Sequence, residues 1–74
     1  MIKLFSKPDC VQCKFSKNKL DELGVPFDEF DVTESEENMA EAIATGYTSM
    51  PIIILEDGGI ISGFKPAELE ALAE

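Results

Sequence analysis

Seventy-four residues are enough for one small domain, 1–74, and leave no room for a second. Apolar residues make up 45% of the chain and its five phenylalanines are spread along it, so a core can form, yet no run approaches transmembrane length. Fifteen acidic residues against six basic ones give a net charge of −9, which argues against nucleic acid and anionic membrane surfaces as partners. Met1 to Phe5 carries one lysine and a few apolar residues, far short of a secretory leader, and there are only two cysteines. A cytoplasmic protein is expected.

In chain order, Ile2-Lys3-Leu4-Phe5 reads as a strand, and Ser6-Lys7-Pro8-Asp9 breaks it with turn chemistry. From Val11 to Leu23 the pattern is helical. Gly24 is suited to close that helix, and Pro26 prevents its resumption. Cys10-Val11-Gln12-Cys13 therefore straddles the helix start. Both thiols fall within one helical turn, close enough to form a disulfide and to exchange it with another protein.

The position distinguishes the two thiols. Cys10 sits at the N-terminal edge, where free backbone N–H groups and the positive end of the helix dipole favour a thiolate, so it is the expected nucleophile. Cys13 lies on the line Cys13, Ser16, Leu20, Leu23, whose spacing marks the buried stripe. A buried thiol keeps its proton and is suited to resolve a mixed disulfide, because its attack is intramolecular. The net negative field opposes deprotonation. Lys7 and Lys14 flank the site and offset part of it, or are solvated surface positions.

Other uses of the pair are weaker. A structural disulfide normally closes a longer loop, since a four-residue ring removes little chain entropy. A zinc site needs two more ligands, and the chain has no His and no third Cys, so a second chain would have to supply them. No metal site and no bound cofactor are expected.

Phe27 to Val32 reads as a second strand with imperfect alternation. Thr33 and Glu36 have the spacing of a capping box opening a helix to about Thr45, with Met39, Ala42, Ile43 and Gly46 toward the core. Tyr47-Thr48-Ser49 is a loop ending in Met50-Pro51. Ile52 to Leu55 is a continuous apolar run that suits a strand buried on both faces. Glu56-Asp57-Gly58-Gly59 signals a tight turn, and Ile60 to Ser62 is the returning strand of an antiparallel hairpin. Pro66 is a good first residue for a last helix reaching about Ala73. The predicted fold is α/β, ordered β-α-β-α-β-β-α, with a four-stranded mixed sheet flanked by helices. Its first two strands should be parallel, with the CxxC at the C-terminal end of the first strand.

The strand–CxxC–helix opening and the Met-Pro before a buried strand resemble the thioredoxin-fold superfamily and its small glutaredoxin-like branch. Cys10-Val11-Gln12-Cys13 together with Ser62-Gly63-Phe64-Lys65-Pro66 is similar to the C-[VM]-Q-C and S-G-[FY]-[RK]-P segments of the NrdH-redoxin family. The resemblance covers the whole chain. It implies a monomeric thioredoxin/glutaredoxin-like domain that takes electrons from thioredoxin reductase and passes them to class Ib ribonucleotide reductase or another disulfide protein. Cys10 would attack and Cys13 resolve, and Pro51 would be a cis-proline. Val11, Gln12, Met50, Pro51, Gly63, Phe64 and Lys65 would contact substrate or partner.

Glutathione-using glutaredoxins typically carry two glycines and then an acid where this chain has Ser62 to Pro66, so glutathione binding should be weak or absent. Gly58-Gly59 lies one strand too early to substitute. A glutathione-dependent glutaredoxin remains the alternative, and a soft-metal (copper) chaperone is a more distant one. The chaperone would need β-α-β-β-α-β order and a Met where Pro8 stands. Lys65, a poor N-cap residue, suggests a contact with a carboxylate or a tolerated surface position. Phe64 is divided between packing under the last helix and docking. Phe15 either forms an apolar rim with Val11, Met50 and Phe64 or packs on the sheet edge.

Overall fold

The computed structural model describes residues 1–73, so Glu74, the last residue of the expected domain, lies outside the described residues. The elements follow in the predicted order: β1 (Ile2–Ser6), α1 (Val11–Leu23), β2 (Phe27–Asp31), α2 (Glu36–Ile43), β3 (Ile52–Ile54), β4 (Ile60–Ser62) and α3 (Pro66–Ala71). The strands form one mixed sheet in the order β2-β1-β3-β4. β1 pairs parallel with β2, from Ile2 opposite Phe27 to Ser6 opposite Asp31. It pairs antiparallel with β3, which pairs antiparallel with β4. This is the thioredoxin/glutaredoxin-like arrangement.

The period of two along each strand divides the core. Ile2, Leu4, Ile53 and Ile61 face α1 and α3, meeting Leu20 and Leu69. Phe5 and Ile52 face the other way, meeting Ala42, Val32 and Met50. Ile52 and Ile53 are both fully buried, on opposite faces, which is why this central strand carries no polar alternation. Leu20 is fully buried on α1, a burial that contributes about 1.5–3 kcal/mol. Gly24 ends α1 with φ +72°, and its N–H donates to the Asp21 and Leu20 carbonyls.

α2 corrects three expectations. Its cap is Ser35, whose Oγ accepts from the Asn38 N–H at 3.1 Å. Thr33 is held earlier by Asp31, whose Oδ1 accepts from both its N–H and its hydroxyl, so the Thr33–Glu36 box does not form. Starting later and ending at Ile43, the helix turns Ala42 fully inward and leaves Ile43 51% exposed. Gly46 is also exposed. Smaller boundary shifts have local causes. Leu55 leaves β3 to close the hairpin, its N–H donating to the Gly59 carbonyl, and Val32 is buried just beyond the end of β2. α3 stops at Ala71, two residues before the expected end.

Candidate active site

Both cysteines lie where β1 hands over to α1. The link passes through Pro8 and Asp9, the latter at φ +59°, a left-handed position that Asp tolerates better than most residues. Cys10 is the N-cap of α1, and its Sγ accepts from the Cys13 N–H at 3.2 Å. Cys10 and Cys13 are joined as a disulfide, with their Cα atoms 5.2 Å apart. Their environments differ. Cys10 is partly exposed, whereas Cys13 is 5% exposed among the core side chains. Ser16 and Leu20 continue the buried stripe of α1, and Leu23 is half-buried. Among the described residues, the Ser16 hydroxyl is buried without a hydrogen-bond partner.

The Met50–Pro51 peptide bond is cis, matching what the resemblance implies for Pro51. The Met50 carbonyl oxygen lies 3.8 Å from Cys10 Sγ. The same loop joins the start of α3, because the Gly63 N–H donates to the Pro51 carbonyl at 2.9 Å. Gly63 has φ +83°, and a Cβ there would stand 3.5 Å from Gln12 Oε1. Gln12 Oε1 in turn accepts the Phe64 N–H at 3.3 Å. Gln12, Pro51, Gly63 and Phe64 thus form one hydrogen-bonded set around the dithiol, drawn from three separated stretches of chain.

The apolar surroundings sort differently from expectation. Val11 is exposed on α1, and Phe15 is exposed with its ring centroid 5.8 Å from that of Phe64. Phe64 is half-buried against the α1–α3 core, so it both packs and borders the surface. Met50 is 8% exposed, so its side chain belongs to the core and not to a rim. Lys65 caps α3 without a side-chain hydrogen bond, and its Nζ lies 3.9 Å from Glu68 of the same chain.

On the other side of Cys10 an open groove of about 600 Å³ is lined by both cysteines, Lys7, Lys14, Lys17 and Glu29, among others. Glu29 is fixed there by Lys17 at 2.9 Å and by the Ser6 hydroxyl at 3.3 Å. The hydrogen bond to Glu29 is the main cause holding the Lys17 ammonium above its usual pKa. Lys17 and Glu29 were not legible as site residues. Lys17 is one turn beyond Cys13, but only the β1–β2 register brings Glu29 beside it.

Residues 2–60 match the glutaredoxin family model. The chain belongs to the glutaredoxin family. Within it, the chain is 38% identical over 73 residues to the glutaredoxin-like protein NrdH of Lactococcus lactis subsp. lactis, covering 99% of this chain and 100% of that one. The solved NrdH-redoxin of Escherichia coli, described as having a thioredoxin-like activity profile, superposes with a TM-score of 0.87 at 30% identity, over 96% of this chain and 92% of that one. The thioredoxin-like protein BC3987 superposes with a TM-score of 0.90 at 27% identity, over 97% and 99%. The likeness to NrdH-type glutaredoxins therefore extends over almost the whole chain. Among the described residues, no group of three or more metal-ligating side chains is gathered, and no helix is long and apolar enough to cross a membrane.

Proposed function

We propose that this glutaredoxin-family chain is a dithiol reductant of protein disulfides. The observation that carries this reading is the asymmetric pair at the α1 N-terminus, with Cys10 partly exposed and Cys13 buried beneath it. In the reduced protein, the Cys13 N–H and the positive helix end favour the Cys10 thiolate. That thiolate attacks one sulfur of a substrate disulfide, forming a mixed disulfide and releasing the other sulfur as a thiolate. Cys13, giving up its proton, then attacks Cys10 Sγ and releases the second substrate thiol. Two electrons pass to the substrate and the Cys10–Cys13 disulfide results.

The substrate is class Ib ribonucleotide reductase or a similar protein disulfide, and thioredoxin reductase returns the two electrons. Similarity to NrdH proteins supports both assignments, and the Escherichia coli relative's thioredoxin-like activity profile supports the second. The backbone around Gly63 supports weak glutathione binding. The N–H groups of Gly63 and Phe64 are already engaged by Pro51 and Gln12, and Pro66 has none to offer.

The test is a pair of substitutions assayed on a protein disulfide. Cys10→Ser should abolish reduction. Cys13→Ser should accumulate a covalent mixed disulfide, visible as a dithiothreitol-sensitive adduct by mass spectrometry. Full turnover by the Cys13 variant with thioredoxin reductase would refute the dithiol mechanism.

A further inference from the structure

Every lysine in the chain lies between Lys3 and Lys19 or at Lys65, and the intervening acids are unopposed in sequence. Four lysines are spent on internal ion pairs: Lys3 with Glu41, Lys17 with Glu29, Lys19 with Glu70 and Lys65 with Glu68. Among the described residues, Lys7 and Lys14 make no ion pair, although the chain has fifteen carboxylates to offer. Both line the groove beside Cys10 and Cys13, and both are exposed. The groove's carboxylates are Asp9 and Glu29, and Glu29 is already matched by Lys17. Within the groove three lysines thus face two carboxylates, in a protein whose net charge is −9, while the further carboxylates near Lys7, Asp31 and Glu34, line an adjoining cavity away from the sulfurs.

From this placement, and resting on the dithiol reading above, we propose that the groove selects acidic substrate segments. Lys7 and Lys14 receive carboxylates flanking the reacting cysteine of a partner protein. Geometry favours a peptide over a small anion: the groove is open and about 600 Å³ in volume, and its cations flank the sulfurs on the β1–α1 link and on α1 itself. The two lysines act at contact range. The net negative charge of the whole molecule opposes an acidic partner at long range, so the preference should emerge where salt screens the distant charges. At about 0.1 M ionic strength the Debye length is about 10 Å, short enough to leave chiefly the groove's own charges in play.

The test uses the reduced full-length protein and two synthetic disulfide-linked peptides that differ only in the residues beside cysteine, glutamate in one and glutamine in the other. Stopped-flow rates of reduction are compared at about 0.1 M and about 1 M salt. The glutamate peptide should react faster by severalfold, up to about tenfold, at the lower salt, and the ratio should approach one at the higher. In the Lys7→Gln/Lys14→Gln double variant the ratio should fall to one or below at both salts. Taking the ratio within each protein cancels any change in Cys10 thiolate content caused by removing nearby cations. Equal rates for the two peptides with the unaltered protein, a faster glutamine peptide, or a preference that persists in the double variant would overturn the proposal while leaving the dithiol reading intact. Failure to reduce either peptide would overturn both.

Discussion

At the scale of single residues, the two cysteines differ because one backbone feature separates them. Cys10 precedes the first turn of α1 and Cys13 lies within it, so one thiol borders solvent while the other joins the core. This difference was legible in the sequence because it depends on local periodicity. The role of Gln12 was not. Its carbonyl meets the Phe64 N–H across 52 residues of chain, a contact that only the packing of α3 beside α1 creates. Ser16 lies on the predicted stripe, but its polar atom costs stability, since a buried hydroxyl without a partner loses its hydration uncompensated. Ser16→Ala should therefore stabilise the fold by about 1 kcal/mol, with a small helix-propensity gain in the same direction. Urea denaturation checks this, and a destabilised variant would mean that the hydroxyl is satisfied in solution.

At the scale of elements, the helices and strands that carry the site were legible and their junctions less so. α1 has its predicted limits, because the CxxC turn and Gly24 punctuate it at both ends. The β3–β4 hairpin follows from its apolar runs and the Gly58-Gly59 turn. At α2 two capping residues competed. The Thr33–Glu36 spacing looked right, but Asp31 at the end of β2 captures Thr33 first and passes the cap to Ser35. Ile43 was misplaced with it, since it lies one position, or about a quarter-turn, from Ala42 on the wheel. Ser35→Ala should cost about 1 kcal/mol of stability, measured by thermal or urea unfolding. An unchanged midpoint would argue that α2 is capped elsewhere. The cis geometry at Pro51 was carried by the family resemblance and not by local residue preferences, because only a minority of X-Pro bonds are cis.

At the scale of the molecule, a small sheet presents its chemistry at one end. There the β1–α1 link, the Met50–Pro51 loop and the start of α3 are joined by backbone and side-chain hydrogen bonds. Charge is arranged around that end too, with Lys7 and Lys14, which make no ion pair among the described residues, at the groove and carboxylates along β2 and α2. The same hydrogen bonds that shape the site occupy the N–H groups of Gly63 and Phe64, and the proposal of weak glutathione binding rests on them. The most direct measurement is NADPH consumption with a protein disulfide as acceptor, run once with thioredoxin reductase and once with glutathione plus glutathione reductase. The predicted result is turnover with thioredoxin reductase and little or none with glutathione. Turnover with glutathione alone would contradict the assignment of the electron donor, and no turnover with either would contradict the dithiol mechanism itself.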